Sequence, residues 1–256
     1  LPDPDAAALT ARLRAAGCVF AEDEAALLIA AASSADDLEQ LVGQRVSGRP
    51  LEQVLGWAEF CGRRIVVEPG VFVPRRRTEF LVDQAVALAG PQPVVVDLCC
   101  GSGAVGAALV DRLDHVELWA SDIDPAAVRC ARRNLPRRTV CEGDLYAALP
   151  TDLAGRIDLL VVNAPYVPTD AIRLMPSEAR DSEPAVALDG GSDGMDIHRR
   201  VAAEASAWLT PGGHLLIETS QQQAPQVATI FTTNGLHAGI ARSEDLDATV
   251  AIGRRC

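Results

Sequence analysis

The sequence predicts an α/β fold, a mostly parallel seven-stranded sheet with helices on both faces, preceded by a small helical module and a β-hairpin linker. Three observations predict it. From Thr78 onward, short apolar runs alternate with helical stretches, the rhythm of repeated βαβ units. Near the head of that rhythm, Val94 to Gly106 reads as a strand, a glycine turn and a helix start. Before Gly48, apolar residues recur at helical spacing.

Composition bounds the rest. The chain has 256 residues, 48% hydrophobic and 23% charged, enough for one large domain with a small appendage and a full core without disulfide or metal staples. No apolar run approaches the ~20 residues of a membrane helix; Ala25 to Ala32 is among the longest. The opening Leu1-Pro2-Asp3-Pro4-Asp5 is acidic, unlike the basic start of a secretory signal. The net charge of −12 argues against a general nucleic-acid binder. All 23 basic residues are Arg. The seven cysteines include no C-x-x-C pair, and the adjacent Cys99 and Cys100 fit neither zinc spacing nor an ordinary disulfide. Reduced thiols, no metal and a cytoplasmic location are expected.

Residues 3–48 read as three short helices. Leu9 and Leu13 share one face, Leu27 and Leu28 anchor a second, and Leu38, Leu41 and Val42 repeat on a third. Asp36 or Asp37 can cap the third helix, and Gly48 with Pro50 ends it. In the linker, 49–77, the runs on either side of Gly62 in Trp57 to Val67 form a hairpin. The remaining domain, 78–256, has strands at Val94–Leu98, Val116–Ser121, Thr139–Glu142, Ile157–Val162, His214–Thr219, 236–241 and 248–252.

Two motifs carry chemistry. Gly101-Ser102-Gly103-Ala104-Val105-Gly106 contains G-x-G-x-x-G, where glycines admit a ligand to the backbone and a helix start offers free N–H groups. Asp97 closes the strand before it. A carboxylate there repels a pyrophosphate and suits a ligand bearing an ammonium and a sulfonium, S-adenosylmethionine. Asp122 ends the next strand, placed to grip ribose hydroxyls. Asp144, followed by Leu145, ends the third and can accept from an adenine amino group. The second motif, Asn163-Ala164-Pro165-Tyr166, follows the buried run Ile157–Val162, at the strand edge where open α/β sheets bind ligands.

Together with further stretches, these motifs resemble the HemK/PrmC family of protein-(glutamine N(5)) methyltransferases. The matching stretches are Gly70 to Arg75 with Thr78-Glu79, the loop Asp97 to Gly103, Ser121 to Asp124, Asn163 to Tyr166, Glu183-Pro184 through Asp193-Gly194, and Pro211 to Glu218. The family's usual tetrapeptide is N-P-P-Y; Ala164 matches instead a PrmC-related subgroup with N-[VAT]-P-Y, whose substrate is not established. Cys99 stands where Gly is usual, Arg76 where Pro is usual and Thr249 where Arg is usual.

The resemblance implies a Rossmann-like class I S-adenosylmethionine-dependent methyltransferase that releases S-adenosylhomocysteine. Cofactor contacts then fall on Asp97, Cys99, Cys100, Gly101, Ser102, Gly103, Asp122, Ile123, Asp144, Leu145 and Asn163. It implies that the Asn163 side chain and the Ala164 carbonyl orient a substrate amide between Phe72 and Tyr166, with Pro165 shaping the turn. Arg75 reads as structural. The implied partner is a protein with an exposed glutamine, of the release-factor or ribosomal-protein type, docked by the helical module; sequence-specific nucleic-acid binding and membrane association are not expected. Three other readings stand beside it: an adenine-N6 nucleic-acid methyltransferase, a small-molecule N-methyltransferase and a non-catalytic cofactor-binding scaffold.

Overall fold

The computed structural model describes residues 6–256; the acidic opening and the expected helix start at residue 3 lie outside them. Helices α1 (Ala6–Ala15), α2 (Ala21–Ala31) and α3 (Ala35–Val46) follow one another. Leu9, Leu13, Ala21, Leu28 and Val42 bury a small core between them. That core also takes Val54, Leu51 and Leu55 from α4 (Leu51–Leu55), so helical packing continues past Gly48 into the stretch expected to be linker. The α3 cap also differs from expectation. Ser34 accepts from the Asp37 N–H at 3.1 Å, while the Asp37 carboxylate turns back to Ser33. A short hydroxyl two residues upstream reaches the first free N–H groups, which Asp36 and Asp37, already inside the helix, cannot cap.

Strands β1 (Trp57–Phe60) and β2 (Arg63–Val66) form the expected hairpin. The α/β body then runs α5 (Glu79–Leu88), β3 (Val94–Leu98), α6 (Ala104–Arg112), β4 (Glu117–Asp122), α7 (Pro125–Asn134), β5 (Thr139–Glu142) and β6 (Ile157–Val162). After a long connection containing α8 (Ser177–Ser182) come α9 (Asp196–Trp208), β7 (Leu209–Thr219), α10 (Ala224–Thr233), β8 (Leu236–Ser243) and β9 (Ala248–Arg255). The seven-stranded sheet has the order β5-β4-β3-β6-β7-β9-β8. Pairing is parallel from β5 to β7 and antiparallel for β9 against β7 and β8.

Alternation along the strands builds both layers of core. Val95, Leu159, Val161 and Leu216 face α5, α6 and α7. Their neighbours Val96, Leu160, Val162, Leu215 and Ile217 face α9 and α10. Strand order reverses direction around β3, which has β4 on one side and β6 on the other. The crevice at the carboxyl ends of β3, β4 and β6 is the place where such sheets hold ligands. Among the described residues, no helix is long and apolar enough to cross a membrane.

Candidate active site

A cavity of about 460 Å³ opens at that crevice, within the range of small-molecule sites. Its wall brings together residues from most of the expected motifs: Cys99, Gly101, Asp122, Ile123, Asp144 and Leu145 at one end, and Phe72, Asn163, Ala164, Pro165 and Tyr166 at the other.

At the glycine-loop end, main-chain groups hold two of the three acids, Asp97 and Asp122. Asp122 accepts from the Gly101 N–H at 2.8 Å and the Asp124 N–H at 2.9 Å, which fixes its carboxylate at the cavity edge; burial nonetheless raises its pKa. Beside it Ile123 is left 51% exposed on the cavity wall, an uncovered apolar surface suited to a flat heterocycle. Asp144 forms an ion pair with Arg200 of α9 at 2.6 Å, so a ligand amino group meets a carboxylate that already has a partner. Cys99 takes a left-handed φ of 60°, the conformation that favours glycine and a physical reason for the glycine usual there. Burial pushes its thiol pKa well up, which keeps it protonated.

Asp97, Cys100, Ser102 and Gly103 are set back from the cavity wall. Asp97 is buried and accepts the Gly106 N–H at 2.8 Å; a Cβ on Gly106 would lie 3.1 Å from its Oδ2, so glycine allows that approach. Burial first, then the charge of Asp122, pushes Asp97 up to about 7 against the opposing Gly106 hydrogen bond. Ser102 is buried and presents its carbonyl to Asn134 at 2.8 Å, and Cys100 joins the apolar core.

At the other end, Asn163 leaves β6 and its Nδ2 donates to Thr78 Oγ1 at 3.3 Å. The Tyr166 hydroxyl donates to Glu218 Oε1 at 3.4 Å; burial and Glu218 raise the phenol to about 12. Gly194, with φ +77°, lets the loop before α9 pass beneath this corner, because a Cβ there would collide with the Tyr166 carbonyl. The connection through α8 overhangs the cavity with Met175, Pro184, Val186 and Leu188.

Several wall residues were not singled out as site residues from the sequence. Arg77 and Arg200 line the cavity, and Glu183 comes from the overhanging connection. Arg75, expected to be structural, pairs with Glu183 at 2.7 Å and also covers the Phe72 ring at 4.9 Å on the cavity wall. Glu183 and Glu218 fall within the matching stretches, where the resemblance implies no role for them. Among the described residues, no group of His, Cys, Asp and Glu could hold a metal.

Residues 62–177 match the Methyltransferase small domain family. A release factor glutamine methyltransferase of Mycolicibacterium smegmatis is 36% identical over 259 residues, covering 93% of this chain and 92% of its own length. A 4-amino-L-phenylalanine/4-methylamino-L-phenylalanine methyltransferase of Streptomyces pristinaespiralis is 34% identical over 204 residues, covering 76% of this chain and 70% of its own. Among solved structures, a methyltransferase from Pyrococcus furiosus shares the fold at a TM-score of 0.58 and 14% identity, over 83% of this chain and 96% of that one.

Proposed function

This chain belongs to the release factor glutamine methyltransferase family, and from that premise we propose that it methylates the side-chain amide nitrogen of a glutamine in a protein, using S-adenosylmethionine. A peptide-chain release factor is the first candidate acceptor and a ribosomal protein the second. The observation that carries the reading is the single cavity that joins the Gly101–Asp122 end to the Asn163–Tyr166 end.

The residues present fit the cofactor. Asp122 offers a fixed acceptor for ribose hydroxyls, Ile123 an apolar face for adenine and Gly101 an approachable backbone. Asp97 lies behind the loop, bonded to the Gly106 N–H at the start of α6, and is not part of the cavity wall. When bound, the cofactor supplies an electrophilic methyl group on a sulfonium.

The protein's own task is aim. An amide nitrogen is a weak nucleophile because its lone pair is delocalised into the carbonyl. The Asn163 side chain and the Ala164 carbonyl can together take the hydrogens of a primary amide, with Phe72 and Tyr166 as walls. Fixing that nitrogen in line with the methyl removes an entropic barrier, a large source of acceleration in itself. The nitrogen grows acidic as it is alkylated, so no dedicated base is needed. The helical module is the proposed docking element for the protein. Arg45 of α3 reaches Glu178 of α8 at 3.3 Å and Gln53 donates to the Ser182 carbonyl at 3.4 Å, so the module abuts the segment that overhangs the cavity.

A second reading, a free amino acid bearing an aryl amine, is favoured by the Streptomyces relative and by Arg77, an exposed cation on the cavity wall able to meet a carboxylate. The deciding experiment supplies methyl-labelled S-adenosylmethionine with a release factor, a ribosomal protein, 4-amino-L-phenylalanine or duplex DNA. Label in the release factor or ribosomal protein is expected. Label confined to the amino acid or DNA overturns the reading, and label in none returns the chain to a cofactor-binding scaffold.

A further inference from the structure

Phe72, the wall of the acceptor slot facing Tyr166, lies between β2 and α5 in a stretch that is neither helix nor strand. Its position therefore depends on bonds that reach it from elsewhere in the fold. Two buried side chains supply them. Gln53 of α4, 7% exposed, donates from Nε2 to the Val71 carbonyl at 3.3 Å and to the Ser182 carbonyl at 3.4 Å. Glu183, whose side chain is fully buried, accepts at Oε1 from the Val73 N–H at 3.2 Å and from Arg75 Nη2 at 2.7 Å. Phe72 is thus bracketed: the residue before it and the residue after it are each tied to the segment overhanging the cavity, at Ser182 and at Glu183.

The ring itself is restrained as well. The guanidinium that Glu183 holds lies over the Phe72 ring, 4.9 Å from its centroid, and a cation is attracted to an aromatic face. The bonds at Glu183 Oε1 do not depend on charge. Burial raises the Glu183 pKa against the pull of Arg75 and the Val73 N–H. A proton taken up would sit on Oε2, which is buried without a partner, and the other oxygen of a carboxylic acid still accepts. Gln53 is not on the cavity wall, and the Glu183 side chain has no exposed surface. Both therefore act on the slot through Phe72 rather than by touching a substrate.

We propose that Gln53 and Glu183 are positioning residues that hold Phe72 as a fixed wall of the acceptor slot, each by tying the chain beside the ring to the overhanging segment. This rests on Phe72 being a wall for the acceptor amide, as proposed above. A wall contributes to orientation only if it is itself held in place by its supporting bonds. Gln53 belongs to α4, which packs in the core of the helical module. The module proposed to dock the protein is thereby joined by hydrogen bonds to the wall of the slot.

The test compares Glu183→Leu, which removes the accepting oxygen, with Glu183→Gln, which keeps one for Val73 and Arg75, and with Gln53→Leu, which removes the bridge. The full chain is used. 4-Fluorophenylalanine incorporated in place of Phe72 gives a ¹⁹F resonance, recorded without acceptor, that survives failure of the glutamine reading. It should move or broaden in Glu183→Leu and Gln53→Leu and stay in place in Glu183→Gln. With the acceptor identified by the labelling experiment, KM for that acceptor should rise about five- to tenfold in both leucine variants, the order of one lost hydrogen bond. S-adenosylhomocysteine affinity should be unchanged, and Glu183→Gln should stay near the parent. In a Phe72→Ala background the same leucine substitutions should change KM by less than about twofold, because the group they act through is gone. A merely structural role would instead lower Tm and cofactor affinity together and would add its effect in that background too. A ¹⁹F resonance unmoved in either leucine variant, or a KM increase that persists undiminished in Phe72→Ala, overturns the inference. A moved resonance with no label in any glutamine supports the positioning and counts against the glutamine reading alone. If Glu183→Leu does not fold, Gln53→Leu decides by the same readouts.

Discussion

The two ends of the cavity are built by different means. At the glycine-loop end, two of the three carboxylates are met by main-chain donors at 2.8–2.9 Å, Asp97 by Gly106 and Asp122 by Gly101 and Asp124, and the third, Asp144, by the Arg200 side chain at 2.6 Å. At the Asn163 end, side chains meet side chains at 3.3 and 3.4 Å, and a buried Glu218 oxygen has no partner. A backbone-built end depends on the strand–turn–helix geometry and tolerates side-chain variety, as Cys99 in a left-handed conformation illustrates. A side-chain-built end depends on residue identity. Among the described residues, buried oxygens without a partner lie at both ends, Ser121 Oγ at the first and Glu183 Oε2 and Glu218 Oε2 at the second.

This contrast predicts where substitutions act. The largest effect is expected for Asn163→Ala. The loss of an aimed hydrogen-bonding group should slow single-turnover methyl transfer by about 100- to 1000-fold, roughly 3–4 kcal/mol, while calorimetric titration finds cofactor affinity unchanged. Asp122→Ala should show the opposite split. Cofactor affinity is expected to fall by about 1.5–3 kcal/mol, with the rate at saturating cofactor nearly kept. If both variants changed rate and affinity together, the two ends would be one site rather than two.

A smaller effect concerns pH. Asp97 has a folded-state pKa near 7 against an ordinary 3.8, so the folded state holds this proton more tightly. Its contribution to stability is present below the ordinary value and is lost as pH rises through about 7. Asp97→Asn keeps an oxygen for the Gly106 N–H and removes the titration. It should raise stability above pH 7 by ~1–2 kcal/mol, and Tm by roughly 2–8 °C, with the gain closing near pH 4; a pH-independent difference would contradict burial as the cause. The smallest effect is expected for Ala164→Pro. Among the described residues no backbone carbonyl accepts from the Ala164 N–H, so proline removes no hydrogen bond, and kcat should stay within about threefold.

The same contrast explains what the sequence revealed. Strand periodicity and the glycine turn are local signals, and they located β3 to β9 and the Gly101–Asp122 end with boundary shifts of a few residues, largest at β7, which begins at Leu209 rather than His214. The acids at successive strand ends were legible as a group, but their partners were not. Nothing in the spacing indicates that Asp144 meets Arg200 across 56 residues, or Arg75 meets Glu183 across 108. Those pairs exist only after α9 and the overhanging connection fold back over the sheet edge. Likewise α4 has too few residues to show helical periodicity, and its place in the helical core became visible only through the burial of Val54.

The central claim is that this cavity delivers a methyl group to a glutamine amide nitrogen. Fragment-ion mass spectrometry of the release factor, after incubation with the protein and S-adenosylmethionine, tests it most directly. The account predicts a mass gain of one methylene located on the side-chain amide of a single glutamine, absent with Asn163→Ala under matched conditions. A methyl group on an amine, a carboxylate or a nucleic-acid base instead would contradict it.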